Sequence, residues 1–242
     1  NTIYALCQHG TTSAIGSIRK SVDGGTTWTA FTLPSWCNQG SNSSDFTNSQ
    51  AWYDLIAAVD PSNSNKCFIG GVDVLKTVDG GSNWSQVTQW SSGCSGLPQI
   101  HADNHNVVFI NGSSNDLVAC NDGGVYYTAD GGTTWSSRSN GLNVTQLYCV
   151  DYHPTSTDFF LAGAQDNGSH RMNSVGVSGS VKVTGGDGGF CHIDQTDGNI
   201  QITSYVYNNY YYSRNGGTTF GTVSGGNSGT TAGWFINPTE YD

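Results

Sequence analysis

Charged residues are scarce in this chain. Only 11% of its 242 residues are Asp, Glu, Lys or Arg, and eight Lys and Arg stand against 18 Asp and Glu, a formal net charge of −10. So few cations provide no basic stripe for phosphate contacts, which argues against nucleic-acid binding. The polar surface must instead consist of Ser, Thr, Asn and Gly. We therefore expect a secreted, extracellular or cell-surface protein.

Long apolar segments and helical periodicity are also missing. No apolar run approaches the ~20 residues of a membrane-spanning helix, so no membrane span is predicted. The chain does not begin with Met, and we expect a processed or truncated chain. Apolar and polar residues alternate in runs of roughly four to eight, bounded by Gly, Asn, Ser and Pro, which is typical of strands.

The seven cysteines include no close Cys-x-x-Cys pair, which argues against zinc-knuckle and redox motifs. Cys37 and Cys94 lie in Ser- and Gly-rich loops, and we predict a disulfide between them, as an oxidising compartment would allow. One interpretation of the cysteines within predicted strands is that they are buried free thiols. These are Cys67, Cys120, Cys149 and Cys191.

One eight-residue pattern recurs four times, at residues 21–28 (SVDGGTTW), 77–84 (TVDGGSNW), 128–135 (TADGGTTW) and 213–220 (SRNGGTTF). In such a turn an Asp side chain bonds nearby N–H groups, two glycines supply backbone angles that other residues resist, and an aromatic anchors the outgoing strand. Each copy is predicted to be a locked hairpin. Its structural residues are Asp23 and Trp28, Asp79 and Trp84, Asp130 and Trp135, and Asn215 and Phe220.

The pattern S/T-x-D-G-G-x-x-W closely resembles the Asp-box, or BNR repeat, of sialidases, sortilin-type domains and xyloglucanase-like proteins. The stretch from His101 to about Gly189, with HADNH, LNVTQLY, GAQDNGS and GGDGG, is similar to secreted BNR-like propeller proteins of bacteria. The resemblance implies an all-β fold, a β-propeller of four-stranded blades, and an extracellular setting. It implies a reaction much less firmly.

The spacing of the hairpins predicts a single domain, residues 1–242, with about five blades. Four blades are predicted at 50–90, with an inner strand at 51–59, and at 100–139, 143–184 and 187–224. A split blade would join 233–242 to 1–33. Since open arrays leave strand edges that template aggregation, we expect residues 233–238 to pair with residues 2–7 of the same or another copy. The alternative is that the chain is a piece of a larger ring.

His101, Asp103 and His105 are candidate metal ligands. Alternation along a strand would place the three side chains on one face, and two imidazoles with a carboxylate can hold a divalent metal. A hydrogen-bonded polar cluster is the favoured alternative, so no cofactor is predicted.

Aspartates in Gly-rich turns are weak catalytic candidates. Turns at equivalent places in successive blades could bring Asp122, Asp166 and Asp187 together, to bind calcium or to divide into an acid and a base. For a xyloglucanase-like hydrolase, the candidate carboxylates are Asp103, Asp166 and Asp187. In the alternative, each Asp closes its own turn. Sialidase chemistry is not expected, because three arginines must clamp the substrate carboxylate, the four arginines here lie on unrelated segments, and the sole Glu is Glu240.

Five N-x-S/T sequons are glycosylation candidates: Asn42, Asn83, Asn111, Asn143 and Asn167. We predict a non-catalytic extracellular propeller module that binds a polysaccharide or protein, or that assembles with copies of itself through its termini. The alternative is a glycoside hydrolase or carbohydrate-binding propeller of xyloglucanase type.

Overall fold

The computed structural model describes residues 1–142, 144–174, 179–223 and 233–241. Within these ranges the chain forms 21 strands and one short helix. It divides into two compact units, Asn1–Leu142 and Asn143–Asp242. No helix within the described ranges has the length and apolar character to span a membrane.

The first unit holds three antiparallel sheets whose strands follow chain order, together with a two-stranded hairpin. The first sheet contains β1 (Ile3–Gln8), β2 (Ile15–Ser21) and β3 (Thr29–Phe31), and the hairpin contains β4 (Trp36–Asn38) and β5 (Ser41–Ser43). After the helix α1 (Ala51–Asp54), the second sheet contains β6 (Ile56–Val59), β7 (Cys67–Gly70), β8 (Val74–Thr77) and β9 (Ser85–Gln86). The third contains β10 (Asn104–Phe109), β11 (Leu117–Asn121), β12 (Gly124–Thr128) and β13 (Ser136–Ser137).

The second unit holds two four-stranded sheets of the same antiparallel order. One contains β14 (Leu147–Tyr152), β15 (Phe159–Ala164), β16 (Gly168–Asn173) and β17 (Val181–Thr184). The other contains β18 (Cys191–Ile193), β19 (Gln201–Ser204), β20 (Tyr210–Ser213) and β21 (Gly221–Thr222). The predicted fold class, an all-β chain of four-stranded propeller blades, is confirmed at the level of the individual sheets.

The core of the first unit is built on both faces of strand β7. Every residue of this strand is buried. Because side chains alternate across a strand, Cys67 and Ile69 join a cluster with Ile18 of the first sheet, whereas Phe68 joins a cluster with Leu117 of the third sheet. The second sheet is therefore packed between its two sequence neighbours.

Four corner turns, residues 21–28, 77–84, 128–135 and 213–220, share one hydrogen-bond pattern. The hydroxyl of the first residue donates to the side chain of the third at 2.7–2.9 Å and accepts the N–H of the fifth at 2.8–3.0 Å. The seventh residue donates its N–H to the same side chain at 2.9–3.0 Å. In the second and third turns the side chain of the seventh residue also donates to the carboxylate, Asn83 to Asp79 at 2.7 Å and Thr134 to Asp130 at 2.6 Å. The bonds to the carboxylate, above all these two, lower the pKa of Asp79 and of Asp130 to about 2.

Two predicted strand segments differ in the structure. Residues 51–54, predicted as the start of an inner strand, form α1, and the strand begins only at Ile56. Residues 233–238, predicted as an inner strand, form no strand, and Phe235 instead accepts the backbone N–H of Tyr207 at 2.9 Å. The single ring closed by its two termini remains a prediction.

Candidate functional site

A polar groove of about 730 Å³ lies in the first unit. Seven amide or hydroxyl side chains, one carboxylate and two indoles line it, and no cation is among the lining residues that the structure describes. The lining residues are Asn38, Gln39, Ser41, Asn42, Ser43, Asp45, Asn48, Ser49, Trp36 and Trp90.

Both indoles of the groove are fixed by hydrogen bonds. Trp36, which is 1% exposed, donates its Nε1–H to Asp73 Oδ2 at 2.9 Å. Trp90 donates its Nε1–H to Asn38 Oδ1 at 3.0 Å. Burial raises the pKa of Asp73 to about 7, although the bond donated by Trp36 acts in the opposite direction. The Trp side chains are therefore held in place before any ligand arrives.

A disulfide between Cys37 and Cys94 ties the hairpin β4–β5 to the loop that follows the second sheet. These are the two cysteines that the sequence analysis paired. Gln86 reinforces the link, since its side chain accepts the N–H of Cys37 at 2.8 Å and donates to the carbonyl of Cys37 at 3.2 Å. The hairpin wall of the groove is thus crosslinked to the sheet beside it.

Asp45 orders the opposite wall, residues 45–49. Its Oδ1 accepts the N–H and the hydroxyl of Thr47 at 3.2 and 2.6 Å, and its Oδ2 accepts the N–H of Ser49 at 2.8 Å. Asn48 and Ser49 have φ of 47° and 65°, which non-glycine residues adopt only where the surroundings hold them.

Helix α1 follows this loop and presents an aromatic face, which we define as Trp52, Tyr53, His105 and Asp122. Trp52 and Tyr53 have ring centroids 5.4 Å apart and are 67% and 40% exposed. Tyr53 donates its hydroxyl to Asp122 at 3.0 and 3.1 Å and packs against the ring of His105 at 4.8 Å. His105 Nε2 also contacts Asp122 Oδ1.

Behind the aromatic face, α1 ends in a carboxyl group without partners. Asp54 is 1% exposed, and neither of its oxygens has a hydrogen-bond partner outside its own residue within the described part of the chain. Burial, followed by repulsion from Asp103, raises the pKa of Asp54 to about 8. Asp54 is therefore protonated at neutral pH.

Asp103 interacts electrostatically with Asp54 and with Asp122 of the aromatic face. Its Oδ1 accepts the side-chain amide of Gln50 at 3.0 Å, and one of its carboxylate oxygens lies within 4.8 Å of one from Asp122. Burial, followed by the negative charge of Asp122, raises the pKa of Asp103. Asp54 and Asp103 are therefore both harder to ionise than an exposed carboxyl group.

The reasoning that placed His101, Asp103 and His105 on one strand face is wrong. Strand β10 begins only at Asn104, and Asp103 has a φ of 61°, so the backbone turns between the two histidines. His105 contacts Asp122, whereas the His101 ring packs over Gly123. A metal bound by this set of three remains a prediction.

The weak catalytic candidates fall in different units. Asp103 belongs to the first unit, whereas Asp166 and Asp187 belong to the second. There, Asp187 Oδ1 accepts the backbone N–H of Asp166 at 3.1 Å. Asp187 thus stabilises the turn that holds Asp166, and not its own turn. Convergence of all three carboxylates on one catalytic site remains a prediction.

The sequon asparagines differ in exposure. Asn42, Asn83 and Asn111 are exposed, and Asn167 is half-buried. The side-chain nitrogen of Asn167 donates to Gln165 O at 3.0 Å, and that of Asn83 donates to the Asp of its corner turn at 2.7 Å. Asn143 lies outside the described residues. Asn42 therefore combines exposure with a place in the groove wall.

The sequence analysis missed the aromatic face and the groove. Trp52 and Tyr53 were interpreted as part of an apolar strand, although two adjacent large aromatics cannot both face a core from a strand, and that was the available signal. The groove is built from turns, which carry no periodicity.

No protein-family model matches this chain, and no curated protein matches it. Solved structures do. The GH74 enzyme of Niastella koreensis is 17% identical over 91% of this chain and 40% of its own, with a TM-score of 0.40. The GH74 xyloglucanase of Xanthomonas campestris is 14% identical over 92% and 36%, with a TM-score of 0.40. YCF48 bound to D1 peptide is 13% identical over 90% and 83%, with a TM-score of 0.34. This chain thus spans two fifths or less of the length of these two GH74 enzymes.

Proposed function

We propose that this chain is a secreted, Asp-box-type β-propeller module whose first unit binds a neutral polysaccharide. The observation that carries the proposal is the chemistry of the groove. Amides and hydroxyls both donate and accept hydrogen bonds, as sugar hydroxyls do, and the half-buried indole of Trp90 offers an apolar surface to the C–H face of a pyranose ring. The lining residues that the structure describes include no cation for an anionic ligand, and the net charge of −10 repels one.

The aromatic face extends this surface beyond the groove. Residues 45–49 form one wall of the groove and lead directly into α1, so the same segment positions Trp52. The Trp52 indole is 67% exposed in the free protein, so most of its apolar surface is available for contact with a flat ligand. Asp122 and Asp103 would accept hydrogen bonds from sugar hydroxyls beside it.

The corner turns and the disulfide support the remaining parts of the proposal. Four turns with one hydrogen-bond pattern favour the Asp-box type. A Cys37–Cys94 disulfide suits an oxidising compartment outside the cytosol. Association of copies through their termini is a further part of the proposal, to be tested by the mass of the native protein in solution.

Binding is tested with soluble neutral polysaccharides, namely xyloglucan, mixed-linkage β-glucan and galactomannan, with polygalacturonate as the acidic control. In affinity electrophoresis and calorimetry we expect at least one neutral polymer to bind and polygalacturonate not to bind. Trp52→Ala should weaken binding about tenfold, because an anchoring aromatic contributes ~1–2 kcal/mol. Asn42→Arg should block the groove.

Trp234→Ala is the matched control, because Trp234 is 79% exposed but lies in the second unit. If this variant lost as much affinity as Trp52→Ala, or if neither first-unit variant lost any, the proposed site would be wrong. Preferential binding of polygalacturonate would contradict the argument from charge.

A retaining glycoside hydrolase is the second candidate. Such enzymes use two carboxyl groups about 5 Å apart, one of them with a raised pKa, and Asp103 beside Asp122 offers such a pair. Release of reducing ends from the same polymers, abolished in both Asp103→Asn and Asp122→Asn but retained in Trp234→Ala, would establish this activity. Binding without release of reducing ends would support the binding module instead.

A further inference from the structure

A second cavity, of about 670 Å³, lies within the second unit and has two cysteines in its wall. Cys149 is on β14 and Cys191 is on β18, and neither forms a disulfide. Their strands belong to different sheets. Neither the groove nor the aromatic face involves these residues.

The two cysteines contact each other and differ in their surroundings. Cys149 Sγ lies 3.3 Å from the carbonyl oxygen of Cys191, and the Cys191 thiol donates to the carbonyl oxygen of Leu161 at 3.1 Å. Cys191 is buried, whereas Cys149 is half-buried at the cavity wall. The interaction with the Cys191 side chain lowers the pKa of Cys149, and the same interaction, together with burial, raises the pKa of Cys191.

This division of roles matches a nucleophilic thiol and a resolving thiol. The nucleophile must be a thiolate that the oxidant can reach. Cys149 lines the cavity of about 670 Å³, through which a small disulfide could approach its sulfur. The resolving thiol needs only to lie against the nucleophile, as Cys191 does. His192, which also lines the cavity, adds a group that favours the Cys149 thiolate.

We propose that Cys149 and Cys191 are a dithiol that exchanges with small-molecule disulfides and closes to an internal disulfide between β14 and β18. The Cys149 thiolate attacks one sulfur of a disulfide RSSR, forming a protein–SR mixed disulfide and releasing RS⁻. Cys191 then gives its proton to solvent, and its thiolate attacks Cys149 Sγ and displaces the second RS⁻. The two protein thiols are oxidised, and RSSR is reduced to two thiols.

The test is incubation of the native chain with oxidised glutathione, alkylation of the remaining thiols, and peptide mass spectrometry. The wild type should yield a Cys149–Cys191 crosslinked peptide. Cys191→Ser should stop at a glutathione adduct on Cys149, since the resolving thiol is missing, and Cys149→Ser should give neither product. Cys120→Ser, which changes a half-buried cysteine of the first unit, is the matched control and should leave the crosslink unchanged.

A wild-type chain that accumulates the glutathione adduct without the crosslink would overturn the proposal, as would a chain that reacts at neither residue. Should either serine variant fail to fold, native alkylation of the wild type decides. Cys149 must react with iodoacetamide at least about tenfold faster than the buried Cys67, and equal rates would refute the assigned roles.

Discussion

Replacing Asp54 with Asn should remove a large part of the dependence of stability on pH. Asp54 is buried and without partners, and its pKa is about 8 in the folded chain against 3.8 in a model peptide. At a pH between these two values, Asp54 has lost its proton in the unfolded chain but keeps it in the folded chain. The free energy of unfolding therefore falls as pH rises from about 4 to about 8, and changes no further above the folded pKa.

The size of this effect follows from the two pKa values. At ~1.4 kcal/mol per pH unit, the full difference amounts to about 6 kcal/mol, and water that enters on ionisation reduces it to about 3 kcal/mol. Asn stays neutral, but its buried N–H groups lack acceptors, which costs about 1–2 kcal/mol. The wild type has already lost about 1.6 kcal/mol of this pH-dependent difference at pH 5, so Asp54→Asn should be about as stable as the wild type at pH 5 and more stable by about 1–2 kcal/mol at pH 9.

Urea unfolding followed by Trp fluorescence at pH 5, 7 and 9 measures how the difference in the free energy of unfolding between Asp54→Asn and the wild type changes with pH. Asp73, whose pKa burial raises to about 7, should leave the variant a smaller pH dependence of the same sign. Asp79→Asn is the control: the pKa of Asp79 is about 2, so this carboxylate is ionised in both states throughout the range, and its removal should shift all three values equally. Parallel profiles for the wild type and Asp54→Asn would refute the assignment of a buried, partnerless carboxyl.

Two further predictions concern the covalent link and a corner turn. The Cys37–Cys94 disulfide spans 57 residues, so Cys37→Ser with Cys94→Ser should cost up to about 4 kcal/mol; calorimetry with and without reductant measures this loss, and a Tm unaffected by reductant in the wild type would contradict it. Gly81 has a φ of 102°, and a Cβ there would lie 2.9 Å from the Phe31 ring, whereas Gly24 has a φ of 75° and nothing within 4 Å of such a Cβ. Gly81→Ala should therefore cost about 2 kcal/mol or more and Gly24→Ala about 1 kcal/mol, and equal losses in urea unfolding would show that Phe31 is not in contact.

The parts of the fold that depend on neighbours in sequence could be predicted. The hydroxyl, carboxylate and glycines of a corner turn all lie within five residues, so their bonds follow from local chemistry. The groove could not be predicted, because it depends on positive φ at Gln39, Asn48 and Ser49, which no pattern of apolar residues indicates. The strand assumed through His101, Asp103 and His105 could not be checked by alternation for a similar reason, since Asp103 has a positive φ where alternation assumes an extended backbone.

Several unfavourable features of the first unit lie on or near the segment that carries the aromatic face. Asn48 and Ser49 have positive φ, and Asp54 and Asp103 have raised pKa values because they are desolvated and close to other carboxylates. An apolar residue in place of a buried, partnerless carboxyl is often neutral or stabilising, so folding alone gives no reason for Asp54. By contrast, each corner turn satisfies its Asp or Asn side chain locally, although the indole Nε1 of Trp84 and that of Trp135 are buried without a partner in the described part of the chain. Strain and unpaired polar groups persist where the surrounding structure enforces them and tend to cluster at functional sites, and here they cluster on the segment that lines the groove and carries Trp52.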